Sequence, residues 1–191
     1  MLSNRSTVSL IGSLCAAVLA CTEPAGAPLP LLADVEGTPG QLLGSGGKAS
    51  GRADVHGTPV QNVLDETYSF TAVSTDAVPF ARGQVEVHLL RFTGEEVVVH
   101  AEVTCVSIAS NEAWVGSRIS RFTRNQQEVP ERVGLPMIFR VRDLGEAEGT
   151  LDLASLVFFP PTEDGDLEHC NERPDFPILR ESGAGNIQVK P

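Results

Sequence analysis

Positive charge is scarce in this chain. The 191 residues include 14 lysines and arginines against 25 aspartates and glutamates, for a formal net charge of −11. Proteins that bind nucleic acid rely on clustered lysine and arginine side chains, and no such basic run occurs here. The composition therefore excludes nucleic acid as an expected partner. It also offers nothing to attract anionic lipid head groups, so attachment to a membrane needs a different device.

The usual motifs of enzyme and metal sites are also missing. The sequence contains neither HExxH nor a pair of CxxC motifs, which are common signatures of zinc sites. It has no GxSxG turn, and the GSGG at residues 44–47 is not followed by the lysine–serine or lysine–threonine pair of a phosphate-binding loop, because Ala49 comes after Lys48. We therefore expect no cofactor and assign no catalytic residue.

The N-terminus resembles a bacterial export signal. Arg5 precedes an apolar stretch at residues 8–20 that is too short to span a bilayer as a helix. The stretch runs into VLAC at residues 18–21, which resembles the lipobox of bacterial lipoproteins. The resemblance implies that residues 1–20 are removed as a signal peptide and that the sulfur of Cys21 carries a diacylglycerol.

This interpretation places the mature protein in the cell envelope, tethered to a membrane through lipid on Cys21. One acyl chain binds membranes only marginally, so a stable anchor needs several chains on the same residue. Thr22 follows the cysteine, and without an aspartate there the resemblance points to the outer membrane if the host has two membranes. The alternative is ordinary secretion, with cleavage nearby and Cys21 an incidental thiol.

Residues 21–47 have the composition of a tether. Prolines and a late run of glycines interrupt any period, and such a segment cannot bury enough apolar surface to offset the entropy of ordering it. Its few leucines could instead dock on the domain that follows. We expect that domain to be single, β-rich and confined to residues 48–191.

Alternation of apolar and polar residues dominates from Lys48 onward. In the clearest predicted strand, at residues 96–108, the core face is expected to carry Val97, Val99, Ala101, Val103 and Cys105. Further strands are predicted around residues 48–55, 67–72, 84–89, 113–122, 137–142, 156–159 and 186–189. No window of ten residues shows the spacing of an amphipathic helix.

About eight short strands joined by short turns must pair antiparallel, because a parallel crossover needs a dozen or more residues. One apolar and one polar face per strand predicts a barrel or a sandwich. We favour an all-β fold in which about eight antiparallel strands form a closed barrel of the calycin or lipocalin type, because closure removes exposed edges. A two-sheet β-sandwich is the alternative.

The cysteines are divided between the signal, the lipid and the domain. Cys15 leaves with the signal peptide, Cys21 is taken by lipid, and Cys105 and Cys170 remain. Free thiols are uncommon outside the cytoplasm, so we expect a disulfide between these two. It would contribute about 4 kcal/mol in the chain-entropy picture. The alternative is two unconnected buried thiols.

Several short segments resemble a group of exported bacterial β-rich proteins of unknown function. They are VTCV at residues 103–106, NEAWVG at 111–116, FRVRDLGE at 139–146, DLAS at 152–155 and GNIQV at 185–189. The likeness spans roughly residues 45–190. It implies a domain type and an exported setting, and it carries no catalytic residue with it.

Two histidines are the first candidate for chemistry. His88 and His100 lie on the polar faces of neighbouring predicted strands, beside Glu86 and Glu102. If the strands pair, the four side chains form one surface patch that could serve as a zinc or acid–base site. A solvated face with ordinary charge pairing is the simpler interpretation, and we prefer it.

An acidic loop at residues 160–177 is the second candidate. Asp164, Asp166 and Glu168 alternate around a glycine, and hard oxygen ligands suit Ca²⁺. The twelve-residue EF-hand pattern is incomplete, however. We therefore expect an irregular flap, joined through Cys170 to the strand that carries Cys105.

The aromatic side chains point to a binding function only weakly. Trp114 could line a ligand cavity or anchor a partner, although packing within the fold is the simpler role. Our primary hypothesis is a monomeric, non-enzymatic module that binds a small ligand or an envelope protein. A hydrolase or lyase using carboxylates with His88 or His100 is the second hypothesis. A structural surface-interaction protein is the third.

Overall fold

The structure is a computed structural model and describes residues 47–75, 79–147, 150–183 and 185–191. The signal peptide, Cys21 and residues 21–46 of the expected tether lie outside these ranges, so those predictions stay predictions. Within the described ranges, no helix has the length and apolar character needed to cross a membrane.

The described residues fold as an antiparallel β-sheet of ten strands with one α-helix, which confirms the expected all-β class. The strands are β1 (Lys48–His56), β2 (Asp65–Ser74), β3 (Ala81–Leu90), β4 (Glu96–Ala109), β5 (Glu112–Arg124), β6 (Gln127–Glu128), β7 (Pro136–Arg142), β8 (Leu153–Ser155), β9 (Leu179–Glu181) and β10 (Ile187–Lys190). The helix is α1 (Gly165–Glu172), and short 3₁₀ helices occur at Pro59–Gln61 and Pro130–Arg132.

The sheet is not closed, and this differs from the closed barrel that we expected. The strand order is β10-β1-β2-β3-β4-β5-β7-β8-β9, with β6 attached to β5, so β10 and β9 are the two ends. Beside β10, carboxylates replace a partner strand. Asp152 accepts a hydrogen bond from the backbone N–H of Ile187 (2.8 Å), and Asp143 accepts one from that of Val189 (3.1 Å).

The alternating residues form one hydrophobic core on the inner face of the curled sheet. Tyr68 and Phe70 of β2 meet Phe139 of β7 with ring centroids 5.1 Å apart in both pairs. The Tyr68 hydroxyl donates to the backbone oxygen of Ser155, at 3.0 Å, so its one polar atom is satisfied inside the core. Burial of each large apolar side chain contributes roughly 1.5–3 kcal/mol. The core therefore joins strands that are distant in the sheet order.

A β-bulge overturns the expected position of Cys105. The pairing of β4 with β5 shifts register between Val103 and Cys105. Val103 and Val106 belong to the core cluster, whereas Cys105, although fully buried, lies on the opposite face against α1. An extra residue in one strand changes which face the following side chains occupy. Simple alternation could not foresee this change.

The acidic loop contains α1, where we expected an irregular flap. The helix lies over the outer face of β4, β5 and β7, and the predicted disulfide between Cys105 and Cys170 is confirmed, with Cα atoms 6.2 Å apart. Gly116 of β5 permits the close approach, because a Cβ there would lie 2.5 Å from the Cys105 sulfur and 2.6 Å from the Asp166 backbone oxygen.

Polar contacts complete the attachment of α1. The Arg118 guanidinium donates to both carboxylate oxygens of Asp166, at 2.8 and 3.0 Å, and the Thr104 hydroxyl donates to one of them at 2.7 Å. We call the α1 clamp the disulfide together with the Arg118–Asp166 pair. The helix was missed because it is only eight residues long and mostly polar, so it has no apolar stripe.

Candidate functional site

An apolar groove lies at the end of the sheet where β1 stops and β2 begins. It is formed by the connection between these strands, by the segment after β8 and by the segment before β9. Its volume is about 350 Å³. Seven of its nine lining residues are apolar: Val63, Leu156, Val157, Phe158, Phe176, Pro177 and Ile178; the other two are Gln61 and Arg180. We name it the Phe158–Phe176 groove.

The wall of the groove exposes large apolar side chains. Phe158 and Phe176 are 39% and 45% exposed, and their rings meet edge to face with centroids 4.9 Å apart. Ile178 is 67% exposed. Large apolar side chains are usually buried, and a contiguous group of exposed ones marks a surface that another molecule can cover.

The floor of the groove is held in place by a buried carboxyl. Leu156 and Val157 are almost fully buried, and Glu66 Oε1 accepts a hydrogen bond from the Val157 backbone N–H at 2.7 Å. Glu66 is 1% exposed, and its Oε2 has no hydrogen-bond partner among the described residues. Burial raises the pKa of Glu66 to about 8, against a smaller opposing effect of the Val157 hydrogen bond.

The rim of the groove carries one cation. Arg180 of β9 donates from Nη1 to the His56 backbone oxygen (3.1 Å) and from Nη2 to Gln61 Oε1 (3.0 Å). A guanidinium has five N–H donors, so three remain after these bonds. No carboxylate in the described part of the chain forms an ion pair with Arg180. The groove therefore combines an apolar wall with an available positive charge.

The predicted histidine patch does form. Glu86 of β3 lies opposite His100 of β4, and Glu86 Oε1 is 2.8 Å from His88 Nε2. His100, Glu86 and Glu102 line a shallow polar cleft on the outer face. The side chains of His88 and Glu86 are 59% and 48% exposed. The hydrogen bond from His88 lowers the pKa of Glu86, and the charge of His100 adds to the effect.

The contact between His88 and Glu86 is a solvent-exposed hydrogen bond. A general acid at neutral pH needs a carboxyl whose pKa is raised, and that of Glu86 moves the other way. Within the described residues, no three histidine, cysteine or acidic side chains are placed to hold a metal ion. The geometry therefore gives the enzyme hypothesis no specific support.

Trp114 packs within the fold, on the side of the sheet that α1 covers. It is 7% exposed, and its indole Nε1 donates to the Pro174 backbone oxygen at 2.9 Å. The Arg140 guanidinium lies 5.3 Å from the centroid of its ring system. Trp114 is not among the residues that line the groove.

The three calcium candidates also lie at α1. Asp164 precedes the helix, and Asp166 and Glu168 are in its first turn. The carboxylate of Asp166 is satisfied by Arg118 and Thr104, while Glu168 accepts a hydrogen bond from the Thr162 hydroxyl at 3.3 Å. The observed bonds give Asp166 a structural role in the clamp.

None of the residues that line the groove was predicted as a site from the sequence. A signal was present, because Phe158 is separated from Pro160 and Pro161 by Phe159 alone, and Phe176 and Ile178 flank Pro177. Apolar side chains held next to prolines in irregular segments are candidates for exposed contact surfaces. Glu66 and Arg180 give no comparable signal, since their roles depend on segments distant in the chain.

Comparison with known proteins gives no relative. No protein-family model, no curated protein and no solved structure matches this chain.

Proposed function

We propose that this chain is an exported lipoprotein, anchored through Cys21, whose domain binds a small ligand with an apolar body in the Phe158–Phe176 groove. The observation that carries the proposal is the edge-to-face pair of half-exposed phenylalanines above an apolar floor. The groove volume of about 350 Å³ is at the lower end of the range for small-molecule sites. A small molecule suits it better than a protein surface would.

The packing of the core supports a ligand site outside it. The rings of Tyr68, Phe70 and Phe139 contact one another between β2 and β7, so they occupy the space in which a lipocalin-type carrier would hold its ligand. The groove lies against the same core but opens outward. Binding there needs no rearrangement of the core side chains.

We also propose that the sheet is an incompletely closed barrel. The hydrogen bond from Tyr68 of β2 to Ser155 of β8 supports this, because it spans the inner face between strands far apart in the sheet order. The carboxylates of Asp143 and Asp152 would then form the seam beside β10. A sheet edge covered in this way is protected from pairing with other chains.

The test of the binding proposal uses a neutral probe and a matched pair of variants. The full chain with Cys21→Ser is used, because it cannot be lipidated. Dodecanol binding is measured by calorimetry, with Phe176→Ala as the groove variant. Phe92→Ala is the control, since Phe92 is 46% exposed, as Phe176 is at 45%, but lies outside the groove.

We expect the original chain and Phe92→Ala to bind the probe equally, and Phe176→Ala to bind it at least roughly tenfold more weakly, because the edge-to-face wall is lost. Absence of binding to any of the three proteins, or equal binding by both variants, would contradict the proposed function. Lipidation is tested separately, by the mass of the N-terminal peptide of the protein made in a bacterial host.

A further inference from the structure

We infer that the ligand of the Phe158–Phe176 groove is a single-chain amphipath with an anionic carboxylate head, which Arg180 binds while the chain lies against the phenylalanines. This inference rests on the proposed function and deepens it. The observation behind it is the position of the Arg180 guanidinium, which has three N–H groups without a bond, at the rim of a mostly apolar groove.

Arg180 is one of the arginines that form no ion pair among the described residues, as are Arg52, Arg82, Arg132 and Arg173, and of these it alone lines the groove. Arg118 is paired with Asp166, Arg140 and Arg142 with Glu112, and Arg124 with Glu95. In a chain of net charge −11, an arginine has many possible carboxylate partners. Arg180 instead bonds only to neutral oxygen atoms, those of His56 and Gln61, in the described residues.

These two bonds also orient the guanidinium. They use one N–H on each of Nη1 and Nη2, which leaves Nε–H and one N–H on each terminal nitrogen. A carboxylate accepts two parallel bonds from such a fork, and charge-assisted bonds of this kind are about twice as strong as neutral ones. Because the side chain is already held, little further rotamer entropy is lost when a ligand binds.

The groove floor does not repel an anion. Glu66 is the carboxyl directly behind it, through the hydrogen bond to Val157. Its burial keeps it protonated at neutral pH, since its pKa is raised to about 8. Among the residues that line the groove, Arg180 carries the only charged side chain. The volume of about 350 Å³ favours one chain over the two chains of a membrane phospholipid.

The experiment compares ligands that share one chain and differ in the head group. Dodecanoate, dodecanol, dodecylammonium and dodecyl phosphate are titrated below their aggregation concentrations against the full chain with Cys21→Ser. The variants are Arg180→Gln and, as control, Arg82→Gln. Arg82 is exposed and lies at the start of β3, where it pairs with Val73 of β2. It does not line the groove.

Dodecanoate is expected to bind roughly tenfold or more tightly than dodecanol and dodecylammonium. Arg180→Gln should reduce dodecanoate affinity to that of dodecanol, and Arg82→Gln should leave it unchanged. Equal affinity for dodecanoate and dodecanol, or an unchanged dodecanoate affinity in Arg180→Gln, would overturn the inference while leaving apolar binding intact. Tighter binding of dodecyl phosphate than of dodecanoate would overturn the carboxylate assignment.

Because dodecanol reports on the groove alone, the two proposals fail separately. Dodecanol binding that is lost in Phe176→Ala but kept in Arg180→Gln supports the proposed function whatever the outcome for the head group. An Arg180→Gln chain that no longer binds dodecanol would mean that Arg180 maintains the groove instead of recognising a ligand, and would also overturn the inference.

Discussion

The α1 clamp and the Phe158–Phe176 groove are both made from segments laid against the same sheet, but they are held differently. The clamp has a covalent bond and a bidentate ion pair, with Asp166 1% exposed and Cys170 1% exposed. The groove has exposed rings, and its floor is joined to β2 by the bond from Val157 to Glu66. Strong attachment stabilises a fold, whereas an incompletely covered apolar surface leaves a place for a ligand.

The largest effect on stability is expected from removing the disulfide of the α1 clamp. Cys105→Ala combined with Cys170→Ala should lower the free energy of unfolding by about 4 kcal/mol. The two cysteines are 65 positions apart, and without the disulfide the unfolded chain between them gains conformational entropy. Urea unfolding of the oxidised and variant proteins measures this. A loss below about 1 kcal/mol would show that the disulfide is not a main support of α1. Dodecanol binding should not change, because the groove lies elsewhere.

The second-largest effect on stability is expected from removing the Arg118–Asp166 ion pair of the clamp. Arg118→Met should lower the free energy of unfolding by about 3 kcal/mol, since it leaves the Asp166 carboxylate buried without its cation. Arg121→Met is the matched control on the same strand, because Arg121 and its partner Glu128 are 59% and 70% exposed. The control should change stability by at most about 1 kcal/mol. Similar losses in both variants would refute the distinction between buried and exposed pairs.

Glu66 should make the free energy of unfolding fall as the pH rises from 4.5 to about 8. Its pKa is about 8 in the folded protein and 4.5 as the reference for the unfolded chain, so the folded state holds the extra proton between these values. The associated stability is complete below pH 4.5 and is lost as the pH rises through 8, by up to about 1.4 kcal/mol per pH unit. The free energy of unfolding of Glu66→Gln, measured by urea unfolding at several pH values, should depend less on pH. The same pH dependence in the two proteins would contradict the prediction.

His169 of α1 should give the free energy of unfolding the opposite pH dependence. Burial lowers the pKa of His169 from 6.5 to about 4. The hydrogen bond from its Nε2 to the Phe139 backbone oxygen (3.1 Å) opposes this shift, and the charge of Arg140 adds a smaller lowering effect. The unfolded chain therefore binds the proton first, and stability falls as the pH drops from 6.5 towards 4. His169→Gln should weaken this fall. Thermal unfolding at several pH values compares the two proteins, and identical slopes would count against it.

The smallest effect on stability is expected in the wall of the groove. Ile178→Ser should change the free energy of unfolding by no more than about 0.5 kcal/mol, because the side chain is 67% exposed. Dodecanol binding should nevertheless weaken, since the apolar wall is interrupted. A large loss of stability would mean that Ile178 supports the fold and would weaken the contrast with the clamp.

Much of the sheet could be predicted from local pattern. Tyr68, Phe70 and Ala72 share the buried face of β2 as their alternation indicates, and Met137, Phe139 and Val141 do so in β7. Cys105 shows where the pattern fails, because the bulge changes its face without a local signal. The short strand β9 and the helix α1 were missed for a related reason: three or eight residues carry too little periodicity.

The candidate site was less predictable than the fold. The His88 and His100 patch was found, since cross-strand neighbours follow from paired strands of known polarity. Arg180 could not be identified, because its neighbours His56 and Gln61 lie 124 and 119 positions away along the chain. Glu66 was equally hidden, since its burial depends on a segment 91 positions later.

The sequence by itself determined the β class, the antiparallel pairing and the choice of cysteine partners, because each depends on local alternation, on short connections or on counting thiols. Only the tertiary structure decided that the sheet stays open beside Asp143 and Asp152, that α1 covers Trp114, and that a groove with a single cation forms beside the core. These features arise where segments far apart in the chain meet. Contacts of that kind depend on packing and register, which no local pattern encodes.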